Sequence, residues 1–449
     1  MTTNKTLCLN MIVKDESLVI LETLENVTEH LEIDYWVISD TGSTDNTCEI
    51  IEKFFSEKKI PGELIHHPWK DFGHNRTLAL EAAYNKTDFL LIFDADDEIC
   101  GEFNMPFKNK DPSKLYVHED HYMVKIGNGF TWVRPLVINN RKKWMFHGII
   151  HEFLFNLEDV SEVSIIEGDY YINARTIGNR SNDSEKYIKD ANRLKSEYFI
   201  ELQKPDKGLS NRYAFYAARS FHDSGPKFFK EALEWYKTVI NNSSQWAQER
   251  YYSSYSAGLI YEKQDDFENA LLYFLKTVEY DTERIEGIVS AMQLCYNRGH
   301  HTLVNALYNR FKINIYFPRS SKLFNISYFY NDRFEFINSI SAYYANDFSS
   351  GYNCCKHILL NNKLSDSELY RTVCNLCFYI NSVNDTETLE LFKMVDKICH
   401  KNKDKVTDKM TEMCKLLFER NKEKIMLLLD ESNNDNGLNS LLIQDTKDV

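Results

Sequence analysis

Apolar and polar positions follow two rhythms along this chain. Over the first hundred residues short apolar runs alternate with segments of helical spacing. The runs Leu7–Val13, Tyr35–Ser39, Glu63–His66 and Phe89–Phe93 read as strands, rich in β-branched and aromatic residues. Between them, Leu18, Leu21 and Leu24 recur on one helical face within 17–27. So do Ile50, Ile51, Phe54 and Phe55 within 45–57, where Thr44 or Asp45 is placed to cap the helix. A third helix is expected over 75–84. Strand–helix alternation with apolar strands implies a mostly parallel sheet covered on both faces.

Residues 100–175 carry alternating, aromatic-rich pieces, HYMVKI, FTWVRPLVI and WMFHGIIHEFLF. These read as strands, partly antiparallel, that extend the sheet. A polar loop over 179–190 enters a helix, and from there helical periodicity runs to about Leu428. Gly258, Tyr261, Ala270 and Phe274 stand at offsets of 3, 12 and 16, the small and large packing positions of a tetratricopeptide-like helix pair. Ala218, Phe221, Ala232 and Tyr236 repeat the scheme, with an insertion at Gly225-Pro226. The expected organisation is an α/β domain over 1–190, an all-α helical-repeat domain over 191–430, and a frayed polar tail over 431–449.

Composition narrows the classes. The chain has 449 residues, 43% hydrophobic and 14% aromatic, enough for two or three cores. A net charge of -14 makes a poor general nucleic-acid binder. The N-terminal stretch lacks the long apolar region of a signal peptide, and no run is long enough to span a bilayer. The ten cysteines are scattered through apolar segments, as reduced core thiols are. Cys374 and Cys377 have CxxC spacing, but a second pair is missing and Cys399-His400 are adjacent, so buried thiols are favoured over zinc. The expectation is a soluble cytoplasmic protein. Richness in Asn, Lys, Ile and Tyr hints at an AT-rich genome, of a virus in host-cell cytoplasm or of a low-GC microbe.

Candidate chemistry sits at strand ends. FLLIFDADDEI places Asp94, Asp96, Asp97 and Glu98 directly after a buried strand. In an open parallel sheet, ligands bind outside the carboxyl ends of the strands. Like charges packed there are costly unless a cation neutralises them, and hard oxygen ligands suit Mg²⁺ or Mn²⁺. Such an acidic triplet also occurs as a plain solvated turn. Two further polar clusters, KDE at 14–16 and SDTGSTDNT at 39–47, end two other strands. Three such clusters on one sheet edge exceed what helix capping requires. Neither GxxxxGK[ST] nor a GxGxxG after the first strand is present, so a nucleotide here would rely on a metal and a few cations. Asn75 and Arg76 stand near a helix start, where Arg76 meets a phosphate, an acid of the cluster, or only solvent.

Taken in order, LNMIVKDE, VISDTGSTDNT, WKDFGHNRTLAL and LLIFDADDE resemble a family 2 glycosyltransferase of the GT-A fold. WMFHGIIHEFL and GNRSNDSEKYIKDA are similar to segments of a subgroup that precede a tetratricopeptide-like region. The resemblance implies an inverting hexosyltransferase acting from a nucleotide-diphospho-sugar, usually UDP-linked, onto an acceptor hydroxyl. It implies metal binding by Asp94 and Asp96 around Ala95, with His151 as third ligand and His147 as a weaker alternative. Lys14 and Glu16 would lie by the nucleoside. Asp40, Thr41, Gly42, Ser43 and Asp45 would contact uracil and ribose, with Asn75 and Arg76 nearby. Thr41 stands where many members carry a second acid. Glu152 is the candidate base and Asp97 the second candidate. Trp132, Arg134 and Trp144 fall on the acceptor or sugar side, although buried tryptophan is more often core. Arg175 and Arg180 are placed to close over the diphosphate. The acceptor, a glycan or a protein, would dock on the helical domain. Competing readings are a sugar-nucleotidyltransferase, which lacks its glycine-rich loop here, and an inactive scaffold that binds protein or glycan.

Overall fold

The computed structural model describes residues 5–108, 120–158, 163–312, 322–361, 363–384, 387–401, 407–420 and 422. The expected tail at 431–449 lies outside them.

The amino-terminal elements follow the pattern. Strands β1 (Leu7–Val13), β2 (Tyr35–Asp40), β3 (Gly62–His66) and β4 (Phe89–Ile92) alternate with helices α1 (Ile20–His30), α2 (Thr47–Lys58) and α3 (Phe72–Ala83). β1 pairs in parallel with β2 and β4, and β2 with β3. Period-two alternation sends Leu7, Leu9, Met11 and Val13 to the face covered by Ile20, Leu24, Val27, Ile51, Phe54 and Phe55. Cys8, Val37, Leu90 and Ile92 point the other way, onto Leu80 and Ala83 of α3. Burial on both faces explains why β1, β2 and β4 read as largely apolar runs, whereas β3 is only half-buried.

The sheet continues through β5 (Asp97–Gly101), β6 (His121–Ile126), β7 (Phe130–Asn139), β10 (Val163–Ile165) and β11 (Tyr170–Ala174). The strand order is β3-β2-β1-β4-β7-β6-β11-β5, with β10 beside β6. β7 is antiparallel to β4 and to β6, and β11 to β5. One expectation is corrected here. WMFHGIIHEFLF does not extend the main sheet. It folds into a separate antiparallel ribbon, β8 (Trp144–His147) with β9 (Phe153–Asn156). The turn between them uses Gly148 at φ +117 and His151 at φ +55, and Trp144 and Phe146 cap the α3 side of the core. Alternation alone cannot say which sheet a strand joins.

Helix bounds differ in two instructive places. α2 begins at Thr47 with Asn46 at the cap, while Asp45 instead accepts from the Thr47 N–H at 3.0 Å. α3 begins a turn earlier than its apolar spacing indicates, because Asp71 caps it by accepting from His74 N–H. Asn75 and Arg76 therefore lie inside the helix.

Beyond β11 the described chain is almost wholly helical, from α4 (Lys186–Glu201) and α5 (Ser210–Asp223) through α6 (Phe229–Asn241), α7 (Ala247–Lys263) and α8 (Phe267–Lys276) to Asp408–Arg420. None of these helices is long and apolar enough to cross a membrane, among the described residues. The chain divides into two compact units, 1–253 with 318–325, and 254–317 with 326–449. The shift near residue 190 marks where strands give way to helices; α4 to α6 belong with the sheet's unit. In that unit Ala218, Phe221, Ala232 and Tyr236 are all buried at the packed α5 and α6. In the second unit Gly258 lies so close to Phe274 that a Cβ would overlap its ring. The small-against-large spacing is thus a packing device.

One close approach positions the candidate site. Gly73 of α3 lies against the backbone of the β8–β9 turn, and a Cβ there would land on the Gly148 carbonyl oxygen. We expect Gly73→Ala to push α3 off this turn and lower stability by about 2 kcal/mol. Thermal unfolding checks this; an unchanged midpoint would mean the contact is loose.

Candidate active site

The strand-end clusters converge at one edge. Asp15 N–H donates to Ser43 Oγ at 2.9 Å, and Thr44 N–H donates to Asp15 Oδ1 at 2.6 Å. Glu16 N–H donates to Thr47 Oγ1 and Ser17 N–H to Asp45 Oδ2, so the loops after β1 and β2 are stitched together. Asp40 is nearly buried and closes its own turn by accepting from Gly42 and Ser43 N–H, with His66 Nδ1 3.1 Å away. Burial works against its charge, yet these bonds hold it below the ordinary carboxylate range. The same opposition at Asp45, with bonds from Thr47 and Ser17 prevailing, brings it down to about 2. Gly42 supplies the φ of +106 this turn needs. Lys14 is exposed beside them.

Thr41 and Asn75 have internal tasks. Thr41 Oγ1 donates to the Val13 carbonyl at 3.0 Å. Asn75 is fully buried, accepts from Lys70 N–H and donates to the Pro68 carbonyl. They shape the loops that carry the site.

The acids after β4 divide into two groups. Asp94 binds the Arg76 guanidinium and lies 3.7 Å from Arg134. Burial would raise its pKa, but Arg76 and then Arg134 hold it below the usual value. Arg76 is itself buried, and its Nε donates to Glu152 Oε1 at 2.8 Å. One guanidinium thus joins the end of β4 to the β8–β9 turn. Asp96, after buried Ala95, instead accepts from the Gly178 N–H at 3.0 Å, and Glu16 accepts from the Asn179 N–H at 3.0 Å. Burial raises Asp96, and Asp94 adds to it. Burial, opposed by Asn179 and helped by Asp96, lifts Glu16 to about 7. Asp97 is buried in β5 and raised well above normal by burial and by Asp94. This edge carries more negative charge than its surroundings neutralise.

The main-chain donors at Gly178 and Asn179 escaped sequence reasoning, although GNRSND had been singled out. Arg175 closes over no open space: its Nε donates to the Asp96 carbonyl at 2.8 Å, and it binds Glu22 and Thr23. It braces the acidic loop.

Next to Asp94 opens a cavity of about 580 Å³. Glu152 and His151 line it together with Arg76, Arg134, Trp132 and Arg180. Arg180 pairs with Asp190 at 2.5 Å and covers the Phe72 ring. His151 stacks on Tyr216 with ring centroids 4.0 Å apart. One side of His151 is open to solvent, yet the groups crowded round its ring, and then the guanidiniums of Arg219, Arg212, Arg180 and Arg134, push its pKa well below normal. Trp144 does not line the cavity; its indole donates to the Asn139 carbonyl inside the core. His147 packs against Phe153. Among the described residues, the groups with metal-ligating atoms within 4.8 Å of one another are Asp40–Cys48–His66 and Asp332–Glu335–His357. Asp94, Asp96 and His151 do not form such a group. Asp94 is turned to Arg76 and Asp96 to Gly178.

Sequence reasoning also missed Arg212, Arg219 and Glu249, which reach this cavity from helices far along the chain. Nothing local in the sequence marks them.

Residues 8–102 match the family model described as Glycosyl transferase family 2. A comparison with curated proteins gives no match. Among solved structures, S. aureus TarS 1-349 in complex with UDP-GlcNAc is 15% identical, with 61% of this chain and 91% of that one covered and a TM-score of 0.32. Mannosyltransferase PcManGT from Pyrobaculum calidifontis in complex with GDP-Man and Mn2+ is 13% identical, over 62% and 87%, with a TM-score of 0.34. These overlaps are loose, and the family match is what bears on function.

Two outcomes follow from the charges. Arg76→Gln leaves Asp94 and Glu152 without their shared cation and should cost about 3 kcal/mol in denaturant unfolding. A loss below about 0.5 kcal/mol would show that the bridge is dispensable. Glu249 is buried, which lifts its pKa to about 7 despite its bond from Gln245. The folded state then holds a proton that the unfolded state releases at lower pH. Its contribution to stability is therefore present at low pH and is lost as pH rises towards 7. We expect Glu249→Gln to gain on the wild type between pH 5 and pH 8, by about 3 kcal/mol at the upper limit. A pH-independent difference would contradict the shift.

Proposed function

We propose that this chain, which carries a glycosyl transferase family 2 segment at residues 8–102, is an inverting glycosyltransferase of the GT-A type. It would move a sugar from a nucleotide-diphospho-sugar, with a UDP-sugar as first candidate, to an acceptor hydroxyl. The observation that carries the reading is the joining of the strand-end acids to Glu152 through Arg76, at the mouth of one cavity.

The residues fit a divalent ion. Asp96 offers an oxygen beyond the one bonded to Gly178, and burial and mutual repulsion press Glu16, Asp96 and Asp97 towards protonation, which a cation would relieve. Asp96, helped by Asp94, would hold Mn²⁺ or Mg²⁺. Such an ion supplies charge neutralisation for the departing diphosphate. His151 supports this less well, since its ring stacks on Tyr216 and is not grouped with either aspartate.

The chain's own residues do the rest. The stitched loops 14–17 and 40–47 would seat the nucleoside, with the exposed Lys14 beside it and Asp40 fixing the turn. Arg76 holds Glu152 by Oε1 in the cavity lining, where its carboxylate would take the acceptor hydroxyl proton. Asp97, enclosed in β5 and off the cavity wall, is the weaker base candidate. Arg134 would orient Asp94 and the transferred sugar. The second, helical unit would recruit the acceptor.

Calorimetric titration of UDP with and without Mn²⁺ tests the donor site. Wild type should bind only with the metal, and Asp96→Ala should lose at least about tenfold in affinity. Glu152→Gln should bind UDP as wild type does and transfer sugar at least a hundredfold more slowly, roughly the share of a general base. If no nucleotide binds under any metal condition, the chain is a scaffold.

A further inference from the structure

The cavity beside Asp94 is unlike the edge that adjoins it. Five guanidiniums and three carboxylates line it: Arg76, Arg134, Arg180, Arg212 and Arg219 against Asp94, Glu152 and Glu249. Arg76 is used by Asp94 and Glu152, and Arg180 by Asp190 outside the lining. Arg134 approaches Asp94. Arg212 and Arg219, both on α5, form no ion pair with a carboxylate among the described residues. Arg212 donates to the His151 carbonyl at 2.7 Å. Arg219 feels Asp223 one turn along its helix, without a hydrogen bond to it. Glu249 feels Arg212 at longer range, without an ion pair; the remaining positive excess sits at these two side chains.

Their faces are occupied by rings. The Arg219 guanidinium carbon lies 4.2 Å from the Phe324 centroid and 5.4 Å from that of Tyr252. Arg212 lies 4.9 Å from Tyr216 and 5.3 Å from Phe153. Stacking holds a guanidinium flat and leaves its in-plane N–H groups for an anion with paired oxygens, the carboxylate or phosphate geometry. Trp132 adds an aromatic face to the lining, of the kind that covers a sugar ring.

We propose that this cavity is the acceptor site and that Arg212 and Arg219 select an acceptor bearing a carboxylate or phosphate beside its hydroxyl. The inference rests on the transferase reading above. It assigns the anion to the acceptor because Arg219 shares the cavity with Glu152, the residue placed to take the acceptor proton. Asp96, where the donor diphosphate would be held, is absent from the lining.

The test uses the full chain with UDP and Mn²⁺ present. Binding is measured for two matched pairs, octyl β-glucuronide against octyl β-glucoside and glycerol 1-phosphate against glycerol. Wild type should prefer at least one anionic member about tenfold or more. Which pair shows it separates carboxylate from phosphate. Arg212→Gln with Arg219→Gln should abolish the preference and leave UDP affinity unchanged, with circular dichroism confirming the fold. Arg219→Lys, which keeps the charge and loses the planar fork, should retain part of it. Equal binding of charged and neutral members, or binding of none, overturns the proposal. So does an undiminished preference in the double variant. A fall in UDP affinity in that variant would place the arginines on the donor diphosphate and overturn it too. Failure of wild type to bind any nucleotide is a separate result that removes the transferase reading itself.

Discussion

Arg76 is placed where three parts of the amino-terminal unit must agree. It rises from α3, binds Asp94 at the end of β4, and binds Glu152 at the end of the β8–β9 turn. Burying a guanidinium costs several kcal/mol of hydration, and that cost is offset only if both carboxylates are in place. The arrangement is therefore conditional. α3 must start early enough to aim Arg76, which the Asp71 cap ensures. The turn must come close to α3, which Gly73 permits. The ribbon must leave the main sheet, so that its turn faces the strand ends. A failure in any of these leaves a buried charge unbalanced.

The same bridge divides the acids by task. Asp94 is tied to cations and keeps its charge, while burial and the neighbouring Asp94 press Asp96 and Asp97 towards protonation. Four acids in five residues, 94–98, look redundant in the sequence. In the structure Asp94 binds the Arg76 guanidinium, Asp96 accepts from the Gly178 N–H, and Asp97 is enclosed in β5. Environment, and not residue type, separates the roles.

How much of this was legible depends on range. Local period indicated β1 to β4 and α1 to α3, because β1, β2 and β4 are buried on both faces and the helices pack one face on the sheet. The three strand-end clusters were visible for the same reason, since a parallel sheet delivers its carboxyl ends to one edge. The Arg76–Glu152 pair spans 76 residues and leaves no periodic trace. Nor does the separation of β8–β9 from the sheet, since a half-buried strand reads alike in either place. Arg212 and Arg219 looked like ordinary polar positions of a helix. Only the ring of Phe324, brought from over a hundred residues away, shows which way Arg219 is held.

Charge is where sequence and structure diverge most usefully. A chain of net charge -14 implies a surface hostile to anions. Yet the cavity beside Asp94 is lined by five arginines against three carboxylates, directly beside an acidic edge. Net charge sums the surface, whereas binding is decided within a few ångströms, inside walls of low dielectric. There a guanidinium stacked on phenylalanine is less hydrated than one in water, and its attraction for an anion is correspondingly greater. The acidic edge and the basic cavity then act as opposite poles of one cleft. On the proposed reading a cation would be drawn to the first and an anion to the second. The boundary between them is the Arg76 bridge, so the interaction that holds the fold together also sets the polarity of the site.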